Sequence, residues 1–104
     1  MYSIEELRRV NRPQNIIITK HSRIRLSERG ISIDDIVNII NNGEIIEEYP
    51  TDVPFPSCLI LGMSINNKYL HAVISLNKNF INLITAYHPD PSRWNTDFKT
   101  RKET

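Results

Sequence analysis

The 104-residue chain has one cysteine, Cys58, and three glycines. A lone thiol excludes an intrachain disulfide and fits a reducing compartment. Three dispersed glycines exclude a glycine-rich phosphate loop. No apolar run approaches the ~18 residues that a membrane span needs. The opening stretch "MYSIEELRRV" is acidic, then basic, without the apolar segment of a signal peptide. These absences predict a cytoplasmic protein with no membrane partner. The three histidines and Cys58 show none of the short H-x₃-H, C-x₂-C or H-E-x-x-H spacings, so neither a metal nor another cofactor is expected. Cys58 follows Pro56 at the head of an apolar run, with no basic neighbour to activate it, and reads as a core or edge thiol.

Net charge is also scarce, at +1, but its distribution is uneven. Residues 8–29 hold seven Lys or Arg against one acid, Glu28. Residues 30–67 hold six acids and no Lys or Arg. The tail is basic again, with Arg93, Lys99, Arg101 and Lys102 against Asp97 and Glu103. Either these blocks neutralise one another in the fold, or a cationic face is left for an anionic ligand. The length predicts one domain, 1–104, large enough to bury a core without staples.

What is present is a change of period. Residues 3–11 read as a short helix capped by Ser3 and ended by Pro13. "IIIT" (16–19) is β-branched, a brief strand or an extended lead-in. A second helix follows at 20–29, between Thr19 and Gly30. A third opens at Ser32, with Ile33, Ile36, Val37 and Ile40 on one face and Gly43 as its left-handed terminator. Thereafter the period is two. "EIIEEY", "SCLILGMSI", "KYLHAVISL" and "FINLITAY" read as strands, the last three joined by "NN" and "NKN". Helices first and strands after predict an α+β fold, with short amino-terminal helices packed on a three- to four-stranded antiparallel meander. The polar tail from 95 to 104 is expected to fray.

In the second helix, "KHSRIRLSERG", successive residues turn by about 100°. His21, Arg25 and Arg29 therefore form one stripe, between Ile24 and Leu26. Buried arginine is costly unless paired. The stripe needs either internal carboxylates, with Asp34, Asp35 and Glu48 as candidates, or a cleft that receives an anion. In the strands, a two-residue "NN" loop would place Leu59, Leu61 and Met63 on the core face opposite Ile74, Ala72 and Leu70. Gly62 then faces His71 across the pleat. A three-residue "NKN" loop adds Thr85 and Tyr87 to the face of His71 and buries Phe80, Ile84 and Ala86.

"HSRIRLSERGIS", "EYPTDVPFPSCLILG", "LHAVIS" and "ITAYHPDPSRW" together resemble the bacterial and archaeal family known as domain of unknown function 4258, over about residues 18–94. That family is in turn similar to RelE-like toxins and the barnase–EndoU–colicin–RelE group. The resemblance implies a RelE-like α+β fold and a metal-independent endoribonuclease, the toxin of a toxin–antitoxin pair, with RNA and an antitoxin protein as partners. It points to His21, Arg25, Arg29, His71, Thr85 and Tyr87. Metal-free RNA cleavage needs a base, an acid and cations around the phosphate. His71 and His21 are the candidate proton-transfer pair, and Tyr87 a proton donor or stacking platform. Arg25, Arg29 and Lys20 are candidates for phosphate binding, with Thr85 beside them. The rival reading is a non-catalytic module that binds nucleic acid or an acidic protein through the same stripe.

Overall fold

The computed structural model describes residues 1–103; Thr104 lies outside them. Three α-helices, α1 (Ile4–Arg9), α2 (Lys20–Glu28) and α3 (Ile33–Asn42), and a short 3-10 helix at Pro13–Asn15 accompany five strands. The strands are β1 (Ile16–Ile18), β2 (Glu44–Tyr49), β3 (Ser57–Met63), β4 (Tyr69–Asn77) and β5 (Phe80–Tyr87). The fold is α+β, but the sheet is neither three- to four-stranded nor wholly antiparallel. Its order is β1-β5-β4-β3-β2, and β1 runs parallel to β5. The triplet "III" is thus an edge strand whose own side chains carry too little pattern to fix its partner.

Capping decides where the helices begin. Ser3, Thr19 and Ser32 each accept a hydrogen bond from a backbone N–H of their helix's first turn. At α3 the bond is returned, the Asp35 carboxylate accepting from the Ser32 N–H. The carbonyls at the far end of α3 are met by Arg8, which donates to Ile40 O and Gly43 O. Gly43 is therefore no left-handed terminator: its φ is −97°. It is there for space, since a Cβ would stand 2.3 Å from the carbonyl oxygens of Ile39 and Leu61. The left-handed glycine is Gly30, φ +66°, after α2.

The register differs from the expected one. Residues 65–67 form a three-residue loop, with Asn67 at φ 60° and Ser64 N–H donating to Lys68 O. That one extra residue exchanges the faces of β3. Gly62 opposes Leu70, and Leu61 opposes His71. Cys58, Ile60, Leu70, Ala72 and Ile74 enter the core with Leu7, Leu26, Ile36, Ile39 and Ile40. Gly62 lies directly beneath Ile39 of α3. Leu59 and Leu61, on the other face, are also buried, so β3 reads as an unbroken apolar run because both its faces are covered.

The second cover is the carboxy-terminal segment. Its polar composition predicts fraying, yet the chain folds back over the sheet face that carries His71. Trp94 is buried and bridges Arg101. Arg101 lies over the Trp94 ring and holds Glu47 through two 3.0 Å hydrogen bonds. Lys99 pairs with Glu44 at 3.1 Å. A bulge between Ile45 and Glu47 puts both carboxylates on this face. Two of the tail's cations, Lys99 and Arg101, are thus paired with the acidic β2, which answers part of the charge asymmetry.

Gly62→Ala should lower stability by about 1–3 kcal/mol, because a Cβ there meets Ile39 backbone atoms at 2.6–2.7 Å. Gly30→Ala meets nothing within 4 Å and carries only the left-handed penalty of about 1–2 kcal/mol. Urea denaturation of both variants checks this; a Gly62→Ala midpoint equal to wild type would contradict the packing.

Candidate functional site

β1 pairs with β5 only as far as Leu83. Beyond it β5 is an edge, and α2 lies along that edge. Ile84 is an extra residue in the β4–β5 ladder, which steps from Ile74–Leu83 to Val73–Thr85. Its carbonyl accepts from Ser22 Oγ at 3.0 Å. The Ala86 carbonyl accepts from Arg29 Nη1 at 2.7 Å, and the same nitrogen reaches Thr85 Oγ1 at 3.4 Å. Side chains of α2 therefore satisfy an edge that would otherwise need another strand.

The connecting loop of β4 and β5 has two residues, not three, with Lys78 at φ 55° and Asn77 opposite Phe80. Phe80 and Ile84 are accordingly exposed rather than buried. The bulge at Ile84 then shifts the ladder back. Thr85 and Tyr87 arrive on the face of His71, as expected, and Ala86 enters the core.

Between α2 and β5 lies a groove of about 370 Å³, lined by His21, Arg25 and Arg29 with Ser22, Ile84 and Thr85. The helix stripe and Thr85 are thus brought together. His21 and Arg25 are exposed at this groove, and Arg29 is half-buried in its wall. The ion pair of Arg25 is confined to its own helix, Glu28 at 4.0 Å. The rival carboxylates do not reach the stripe: Asp35 is engaged by the Ser32 and Ile65 N–H groups. Those bonds hold its carboxyl below the ordinary range although burial opposes them. Lys20 is exposed and lies outside the groove lining.

His71 is elsewhere. It is fully buried, beneath the carboxy-terminal segment. Its Nε2 is 2.8 Å from Phe98 O, and its Nδ1 is 3.3 Å from Tyr87 Oη. A carbonyl can only accept, so Nε2 carries the proton and Nδ1 accepts from the tyrosine. Trp94 closes the pocket edge-on, ring centroids 4.5 Å apart. Burial pulls the His71 pKa down and pushes that of Tyr87 up. The His71 ring is spent inside the fold, where it joins the tail to the sheet instead of facing the groove of His21, while Tyr87 is half-buried and lines a separate cavity with Trp94 and Arg101.

Cys58 is fully buried, and burial pushes its thiol up to about 11. Among the described residues no cluster of three or more His, Cys, Asp or Glu could hold a metal ion. Nor is any helix among the described residues long and apolar enough to cross a membrane. Residues that sequence reasoning passed over are Ser22 and Ile84, which set the groove's position. Only the serine in the first turn of α2 hinted at this. The clamp of Trp94, Arg101 and Glu47 was foreshadowed only by the opposite charges of the tail and β2.

Residues 18–88, more than half of the chain, match the family model described as Domain of unknown function (DUF4258). The chain belongs to that family. No curated protein and no solved structure matches it. The DUF4258 match spans α2 and β5, and hence the whole groove. It stops at His88, before Trp94 and the rest of the segment that seals His71.

Unfolded histidine takes up its proton near 6.5, whereas folded His71 does so only at lower pH. Below 6.5 the unfolded state therefore binds more protons, and stability falls as pH falls. The urea midpoint of the wild type should be lower at pH 5.5 than at pH 7.5. In His71→Gln that difference should shrink; an unchanged difference would remove His71 as its source.

Proposed function

We propose that this DUF4258 domain is an RNA-cleaving domain of the metal-independent kind, acting as the toxin of a toxin–antitoxin pair. The observation that carries the reading is the single groove that gathers His21, Arg25, Arg29 and Thr85 at the edge of β5. In this reading Arg25, at the mouth, holds a phosphate through its guanidinium fork. Arg29, tied to Ala86 O, supplies fixed positive charge in the wall. His21 is the groove's one histidine. It takes the proton of the 2′-hydroxyl, whose oxygen attacks the phosphorus while the bond to the 5′-oxygen breaks. The leaving oxygen regains a proton from water, and a 2′,3′-cyclic phosphate remains. The antitoxin would be an acidic protein that covers the stripe.

A second reading is favoured by one specific observation. His71 is sealed beneath the tail and its ring nitrogens are taken, so the two histidines do not line one groove. A binding module that holds RNA phosphates without cutting them needs only the cations.

Purified chain incubated with single-stranded RNA distinguishes the two. Cleavage with 2′,3′-cyclic ends is expected from the wild type. His21→Ala should slow it about 100-fold or more, and Arg25→Ala about 10-fold or more. His71→Gln, if folded, should cleave at nearly the wild-type rate. Tight binding without cleavage would select the binding module, and neither binding nor cleavage would end both readings.

A further inference from the structure

The cationic groove is not the larger concavity on this side of the molecule. A second one of about 740 Å³ adjoins it, and the two share Ser22 and Ile84 as common wall. That volume lies within the range of small-ligand sites. Its chemistry is different. The register sets Ile17, Asn82 and Ser75 side by side across β1, β5 and β4, and Asn77 stands at the end of β4. The loop between β2 and β3 brings Asp52 and Phe55 to the opposite wall. No Lys, Arg or His lines this shelf, whereas three of the eight residues lining the groove are His or Arg.

The polar groups of the shelf are partly uncommitted. Asn82 Nδ2 donates to Ser75 Oγ at 3.2 Å. Asp52 accepts from Ser57 Oγ. The side-chain amide of Asn77 has no hydrogen-bond partner among the described residues. The apolar parts are open as well: Ile17, Ile84 and Val53 are 48%, 47% and 89% exposed. Amides and a carboxylate beside an aromatic ring and branched aliphatics suit a flat ligand with polar edges and an apolar face. The Asp52 carboxylate and the absence of cations disfavour a second phosphate.

A nucleotide is divided in the same way, with its charge on the phosphate and its hydrogen-bonding edge and π-face on the base. We infer that the shelf is a nucleobase site. A base of a single-stranded RNA docks among Phe55, Asn77 and Asn82, while its neighbouring phosphate is held by Arg25 in the groove. The inference rests on reading the groove as an RNA phosphate site. Base recognition by stacking and by amide hydrogen bonds is the means by which proteins read unpaired RNA.

The test compares the full chain's affinity for a short single-stranded oligoribonucleotide and for an abasic ribose-phosphate oligomer of equal length. The base-containing strand should bind about 10-fold or more tightly. Phe55→Ala and Asn77→Ala should bring its affinity down towards that of the abasic oligomer without weakening the latter. Arg25→Ala should weaken both. A second readout needs no variant. In an NMR titration, adenosine or guanosine 5′-monophosphate should shift the side-chain amide signals of Asn77 and Asn82, and ribose 5-phosphate should not. Equal affinity for both oligomers, with both weakened by Arg25→Ala, would overturn the base site and leave the phosphate groove standing. Binding of neither would overturn both. Tighter binding of the base-containing strand that is unchanged in Phe55→Ala and Asn77→Ala, with no shift of those amides, would place the base elsewhere and overturn the assignment.

Discussion

Ile84 and Ala86 turn their carbonyl oxygens outward from β5, past the point where the three residues of β1 can reach them. Unpaired main-chain oxygens at a sheet edge invite another strand, or cost stability where water is excluded. Here a helix meets them, with a serine hydroxyl and a guanidinium. To do so α2 must lie along the edge with His21, Arg25 and Arg29 turned towards it. The cationic groove is therefore the by-product of closing a sheet. The acids of β2 do not reach it, because they lie at the far edge, where Lys99 and Arg101 already occupy two of them, and Arg25 pairs with Glu28 of its own helix. Of the two basic blocks, the tail pairs Lys99 and Arg101 with carboxylates, whereas the first gives Arg8 and Arg29 to main-chain carbonyls and leaves Arg25 at the open groove.

Helix starts, and the end of α2, were legible because their signals are local, whereas Gly43 reads as a left-handed terminator and is not one. Ser3, Thr19, Ser32 and Gly30 each act within one turn of the chain. Strand registers were not, because they depend on a single residue in each loop. Both "INN" and "NKN" are compatible with two- or three-residue loops, and the left-handed residues are Asn67 and Lys78; nothing in the composition of either loop selects between the lengths. For β3 the error exchanged the faces. For β5 a short loop and an unforeseen bulge cancelled, so Thr85 and Tyr87 reached the right side although Phe80 and Ile84 did not. The family core was likewise readable in the quoted segments, while the parallel pairing of β1 was not.

At the site, the helix stripe could be read from spacing alone, since residues four apart share a helix face. The role of His71 could not. A histidine on a strand is solvated or sealed according to what lies above it, and here that is a segment more than twenty residues downstream, whose Phe98 carbonyl and Trp94 ring do the sealing. One trace of it was visible beforehand: a basic tail and an acidic strand in a chain of near-zero net charge. His21 and His71 are the same residue type with opposite surroundings, one lining an open groove and one neutral in a dry pocket.

Anchoring a cationic helix to main chain has a further consequence, for variation between relatives. The oxygens that hold Ser22 and Arg29 belong to every amino acid, so replacing the side chain at position 84 leaves those acceptors in place. Thr85 is only a secondary contact of Arg29, beside the shorter bond to Ala86 O. The outer lining can thus drift while α2 and the Arg29 guanidinium keep their places. A domain built this way fixes the helix against the sheet and leaves the surface between them open to revision.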